Sequence, residues 1–214
     1  MPAPQLPRDD ARTICRAQPI LADRGVTLRR LRRHDAAALL AHIGRASVQR
    51  YLGEAPSSLE AFHRFIAWTQ AERRRGVRLC YGIVSRGEAR PVGVIELWAI
   101  ERDFSTAEWG FVLGDAYWGS GVFQRSAALL ADFAFDRLGV LRLEARVAEG
   151  NARANGALRK LGAACEGVLR GGFRDGDTVR HQQMWSILAS EWPGIRAREA
   201  ASRRQEAARS QESG

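Results

Sequence analysis

Leu113-Gly114-Asp115-Ala116-Tyr117-Trp118-Gly119-Ser120-Gly121-Val122-Phe123-Gln124-Arg125-Ser126 is the stretch that decides the fold class. Ahead of it, Thr106–Leu113 reads as a strand. Behind it, Val122–Leu138 puts Ala127, Leu130, Phe133, Ala134 and Leu138 on one side of a helix. The segment is therefore a strand-to-helix turn. Such a turn aims unpaired backbone N–H groups and the positive end of a helix dipole at one point, a site for a phosphate or pyrophosphate. Gly119 and Gly121 let the chain turn tightly and let an anion approach the backbone. No Lys-Ser/Thr follows, so this is not a Walker loop, and Gln124 stands where a GxGxxG motif needs its third glycine. On this segment alone, glycines that merely connect a strand to a helix remain an equal reading.

Outward from the turn, elements alternate. Gly25–Leu31 reads as a strand, Asp35 to about Ile43 as an Ala/Leu-rich helix, and Ser57 or Ser58 caps a helix that Gly76 ends. Leu79–Ser85, Pro91–Ile100 and Thr106–Leu113 form an antiparallel meander with short turns. After the glycine turn and its helix come a strand at Leu141–Val147, a helix at Asn151–Leu161 closed by Gly162, and strands at about Cys165–Leu169 and Thr178–Leu188. The order predicts an α/β unit with a mixed, mostly antiparallel sheet of about seven strands flanked by about four helices.

The chain has 214 residues, 45% hydrophobic and 27% charged, enough for one folded domain with tails. Residues 1–19 hold four prolines and no periodicity, which predicts a flexible arm. The domain is expected over 20–193, with a polar tail over 194–214. No apolar run approaches the roughly 18 residues of a membrane span, and the N-terminus has no secretory core, so a cytoplasmic, soluble protein is expected. Cys15, Cys80 and Cys165 and the four histidines are scattered, with no metal-ligand spacing. The formal charge is +9, and all but Lys160 of the 33 basic residues are arginine. They spread from Arg8 to Arg209, with clusters at 29–33 and 73–75 that read as solvated faces, so nucleic acid is not the principal ligand expected.

Four motifs in order resemble the GNAT acetyltransferases, in particular the branch with ribosomal-protein and other N-terminal acetyltransferases. They are Leu28-Arg29-Arg30-Leu31 with Asp35, the run Ala107–Leu113 followed by Tyr117-Trp118-Gly119-Ser120-Gly121, Asn151-Ala152-Arg153-Ala154-Asn155 running to Lys160-Leu161-Gly162, and Arg174-Asp175-Gly176-Asp177. The resemblance implies a GNAT-like sheet with a splayed cleft for acetyl-CoA, without a metal. Phe111, Val112 and Leu113 would pair their backbone with the pantetheine amides. The pyrophosphate would rest on the loop and helix start from Trp118, Gly119, Ser120, Gly121, Val122, Phe123 and Gln124 to Arg125, with Ser126 beside it. Asn151 and Asn155 would hold the pantetheine arm, Asn151 also being suited to cap its helix.

The chain departs from the family at several positions. Phe123 stands where a small residue usually admits the pyrophosphate, and Ala154, Leu158 and Phe173 replace a serine, a tyrosine and a carboxylate. Acetyl transfer to an amine needs a base, and Glu108, on the strand resembling the cofactor strand, is the first candidate. Glu96 and Glu144 follow, then His181 and Tyr81. The activity implied is transfer of acetyl from acetyl-CoA to a protein N-terminus or small-molecule amine, with a second copy of the chain as a candidate partner. The alternatives are a catalytically degenerate acyl-CoA-binding sensor and an RNA-associated accessory protein.

Overall fold

A computed structural model describes residues 8–53, 55–198 and 200–201, without the side chains of residues 8–10 and 175. Eight strands form one sheet in the order β1-β2-β3-β4-β5-β6-β8-β7. They are β1 (Leu21–Ala22), β2 (Val26–Arg30), β3 (Arg78–Ser85), β4 (Gly93–Ala99), β5 (Thr106–Leu113), β6 (Arg142–Ala148), β7 (Ala164–Asp175) and β8 (Thr178–Leu188). Every neighbouring pair is antiparallel except β5 with β6, which a crossover helix joins.

The helices are α1 (Arg8–Ala17), α2 (Ala36–Ile43), α3 (Ala46–Gln49), α4 (Leu59–Arg75), α5 (Val122–Asp136) and α6 (Ala152–Leu161), followed by a helical segment over 192–198. The Ser58 hydroxyl accepts from the Ala61 N–H and starts α4; Gly76, at φ 72°, ends it in the left-handed region that glycine adopts without penalty. Alternation along the strands divides the core. Helices α5 and α6 cover one face, with Leu130, Phe133 and Leu158 against Tyr81, Trp109 and Leu143. Helices α2 and α4 cover part of the other, with Leu39, Ile43, Phe62 and Ile66 over Cys80 and Val94.

Three expectations change. Part of the arm expected over 1–19 is a docked helix: α1 buries Ala11 and Cys15, and the Cys15 thiol is pushed up to about 12 by that burial. The domain does not stop at 193, because Trp192 and Ile195 both belong to the core; the rest of the expected tail from 202 on lies outside the described residues. Strand β7 runs on to Asp175 instead of ending near Leu169, since β8 continues to pair with it past a register shift. The sheet class stands, with eight strands in place of about seven and more helices than four.

Candidate active site

Strands β5 and β6 pair only over Thr106–Glu108 and Arg142–Glu144. Beyond that rung β5 runs on to Leu113 and β6 to Ala148 without pairing with each other. Free backbone groups therefore face a gap that widens toward the start of α5. A cleft of about 890 Å³ opens there, lined by Phe111, Val112 and Leu113 of β5, the loop Tyr117–Gly121, the first turn of α5, the Gly150–Ala154 turn and the α3 region from Ser47 to Leu52.

The anion-site geometry expected of the loop is present. Gly119 and Gly121 have φ of 76° and 81°, and a Cβ added at either would meet no other atom within 4 Å. Gly121 is the N-cap of α5, and the N–H groups of Gly121, Phe123 and Gln124 find no acceptor among the described residues. Ser120 shapes the turn by donating its hydroxyl to the Tyr117 carbonyl at 2.6 Å. The indole of Trp118 donates to the Leu113 carbonyl at 2.9 Å, tying the loop to the end of β5.

Charge completes the cleft. Arg50, Arg125, Arg153 and Lys160 line it, and no Asp or Glu does among the described residues. The Arg153 guanidinium lies 4.0 Å from the centroid of the Trp118 ring, so the two sides of the cleft meet there. Arg125 is fixed by Asp23 at 3.0 Å. Arg50, Arg153 and Lys160 were not distinguishable in sequence, as single cations among 33. Only their position around one anion-shaped recess separates them.

Several expected cofactor residues serve the scaffold instead. Ser126 is fully buried and its hydroxyl donates back to the Val122 carbonyl at 2.8 Å. Val122 is buried as well. Asn155 donates to the Ala148 and Glu149 carbonyls and accepts from the Trp185 indole at 2.9 Å, so its amide is fully used. Asn151 caps α6 by accepting from the Ala154 N–H at 3.1 Å, and it lines the cleft too. Phe123 does not block the anion site: its ring turns inward, 4.2 Å from Phe111 centroid to centroid. Leu158 is core, where a polar acid would have been buried.

The candidate bases share one face of the sheet. Glu96 is held by Arg78 at 2.6 Å, and Arg78 itself lies between the rings of Trp68 and Trp98. Glu144 is held by Arg142 at 2.7 Å. Glu108, opposite Glu144 on the last paired rung, has Arg146 at 3.9 Å and also feels the charge of Arg78. Burial lifts the Glu108 carboxyl above its ordinary range; the Arg146 charge opposes this and the Glu144 charge adds to it. Glu108 does not line the wide cleft. It sits at the closed end of the split, about 13 Å along the strand from Val112 at roughly 3.3 Å per residue. The other two candidates fall away. The Tyr81 hydroxyl is buried in the core without a partner and burial raises its pKa, while His181 accepts from the Gly171 N–H on the exposed β7–β8 hairpin.

The sheet is thus split beside a helix N-terminus, with a cationic cleft at the split and Glu108 at its closed end, and the family that the chain matches makes it an acyltransferase. Residues 26–164 match the acetyltransferase (GNAT) domain family, and the chain belongs to it. An uncharacterized N-acetyltransferase, p20, of Bacillus licheniformis is 25% identical over 170 residues, 79% of this chain and 96% of that protein. Spermidine N(1)-acetyltransferase of Escherichia coli K12 is 31% identical over 150 residues, 67% of this chain and 75% of that one. The fold also superposes on Mycobacterium smegmatis RimJ, solved in complex with CoA-disulfide, with a TM-score of 0.76 and 22% identity, covering 88% of this chain and 97% of that one.

Proposed function

We propose that the chain transfers an acetyl group from acetyl-CoA to a primary amine by direct attack within a ternary complex. The observation that carries this reading is the cleft that opens from the β5–β6 split beside the N-terminus of α5, lined by four cations and, among the described residues, by no Asp or Glu. Acetyl-CoA carries a pyrophosphate and a 3′-phosphate on an amide-bearing arm. The helix N-terminus and the guanidinium groups suit the phosphates, and the unpaired backbone of Phe111–Leu113 suits the amides.

The split then directs the thioester toward Gly110, whose missing side chain leaves the Trp98 ring 3.6 Å from where a Cβ would stand. Glu108 lies two residues further on the same face. Its raised proton affinity suits a base that takes a proton from an ammonium near neutral pH. The amine nitrogen, once neutral, attacks the thioester carbonyl; the C–N bond forms, the C–S bond breaks, and the proton that the attacking nitrogen sheds passes through water to the leaving thiolate. No side-chain acid is required for that last step, consistent with Ala154 and Leu158. Proximity supplies much of the acceleration.

The acceptor is a protein N-terminus or a small-molecule amine. It enters between Tyr51 and Leu52 and the β7–β8 hairpin, where Phe173 packs against Gly53. The relative that acetylates spermidine supports a small amine. The test is CoA release from acetyl-CoA with a panel of peptides and amines. Turnover with one class supports the reading; saturable acetyl-CoA binding without turnover across both classes overturns it.

A further inference from the structure

The arginine clusters at 29–33 and 73–75 belong to different elements, and the fold brings them to one place. Arg30 ends β2 and Arg73 stands in the last turn of α4. Both line a cavity of about 260 Å³ with Gln18, Leu31, Thr69, Gln70 and Cys80. It shares no lining residue with the cofactor cleft.

Arg30 and Arg73, the two cations lining this cavity, have donors that no acceptor among the described residues fills. Arg30 gives Nε to the Gln18 carbonyl at 3.2 Å, and no other bond of its guanidinium is found among the described residues. Arg73 gives Nη1 to the Arg16 carbonyl, while its Nε is buried with no partner. The two amide side chains each give one bond to the surrounding backbone, Gln18 Nε2 to the Cys80 carbonyl at 2.7 Å and Gln70 Nε2 to the Leu31 carbonyl at 3.3 Å. Among the described residues no Asp or Glu lines the cavity, and Glu72, one residue from Arg73, pairs with Arg75 at 3.0 Å. Burial first, then the charges of Arg30 and Arg74, lower the proton affinity of Arg73.

A plainer account is that arginines neutralise helix C-termini, as Arg16 does by donating Nε to the Arg74 carbonyl at 3.2 Å. That accounts for Arg73 Nη1. It leaves the buried Arg73 Nε unfilled and the exposed Arg30 fork without a protein acceptor among the described residues, and it does not explain two like charges set around a recess that no described Asp or Glu lines. Gln18, whose φ of 41° ends α1, forms one wall.

We propose that this cavity binds a small tetrahedral phosphate dianion between Arg30 and Arg73, at a site separate from the transferase cleft. Guanidinium forks match the oxygens of such an anion in geometry and charge. The ligand would lock α1, β2 and α4 together, because Gln18, Arg30 and Arg73 come from or adjoin those three elements.

The test is thermal unfolding of the full chain in inorganic phosphate, against chloride at matched ionic strength. A saturable rise in Tm of about 3 °C or more is expected, given the stabilisation that a ligand well above its Kd confers. Arg30→Met and Arg73→Met should each abolish it, while Gly121→Trp, in the cofactor loop, should keep it. Arg30 is exposed, so its variant decides the matter if Arg73→Met does not fold. Three results would overturn the proposal. One is no rise beyond chloride. Another is a non-saturating rise equal in all variants, which is the general exclusion effect of phosphate. The third is a rise lost in Gly121→Trp but kept in Arg30→Met, which would put the anion in the cofactor cleft.

Discussion

Glu108 and Glu144 face each other across the last rung that joins β5 to β6, yet only Glu144 has a close cation, Arg142 at 2.7 Å against 3.9 Å from Arg146 to Glu108. Two carboxylates at one rung of a parallel pair repel one another. The sheet neutralises one and leaves the other with a raised proton affinity. That asymmetry, more than the presence of an acidic residue, separates Glu108 from Glu96 and Glu144 as the candidate base.

Glu108→Gln should therefore lower kcat with the true acceptor by about 10²–10⁴-fold, the usual contribution of a positioned base. Acetyl-CoA affinity should hardly change, because β5 offers its backbone to the cofactor. The loss should shrink at high pH, where more of the amine is already neutral. Stability should move the other way. A carboxyl with a raised folded pKa favours the fold below its unfolded value of about 4.5, and that advantage is lost as pH rises through the folded value. At pH 7 the variant should melt above the wild type, with the gap closing below about pH 4. Equal kcat/KM from pH 6 to 9 would remove Glu108 from the chemistry.

The two asparagines of α6 should separate by role. Asn155→Ala strands the buried Trp185 indole N–H, while the Ala148 carbonyl keeps the Asn151 N–H, so the cost is about 1–3 kcal/mol, that of one unsatisfied buried group. Asn151→Ala removes one cap and costs about 1 kcal/mol. Cofactor affinity should fall for Asn151→Ala and hold for folded Asn155→Ala. Urea unfolding and equilibrium binding of acetyl-CoA measure both.

The C-terminal segment gives a third test. Ile195 is 4% exposed and packs on Gly162, where an added Cβ would meet its methyl groups at 3.2 Å. Arg196 reaches Asp132 at 3.2 Å from the same turn. Ile195→Ala should cost about 2–4 kcal/mol. Ending the chain after Pro193 should lower Tm clearly, whereas ending it after Arg198 should not, since Ile195 and Arg196 are then retained.

How much of this was legible in the sequence depends on how each residue signals its surroundings. Thr106–Leu113 and Thr178–Leu188 were readable to the residue, and the Gly-Ser-Gly turn marked the passage from β5 to α5. Helix α1 was not, because Ala11 and Cys15 are small and sit beside prolines and arginines; their burial comes from docking. The end of β7, Arg170-Gly171-Gly172-Phe173-Arg174-Asp175, has no alternation and is a strand because β8 pairs with it. Polarity also misled. Ser126 and Asn155 read as ligand contacts, but a side chain one helical position away from the cleft satisfies its own backbone or a neighbour's instead.

Gly121 separates backbone need from space, and two substitutions read them apart. At φ 81° any residue with a side chain is strained, so both Gly121→Ala and Gly121→Trp should lose about 1–2 kcal/mol of stability. Beyond that they should differ. A Cβ at this position meets nothing within 4 Å, so alanine leaves the N–H groups of Phe123 and Gln124 accessible to an anion. An indole there projects into the mouth of the cleft lined by Trp118, Arg125 and Arg153. Acetyl-CoA should still raise the Tm of the alanine variant, and the tryptophan variant should show no shift while melting cooperatively. If the tryptophan variant binds acetyl-CoA as tightly as the wild type, the pyrophosphate does not rest on the start of α5.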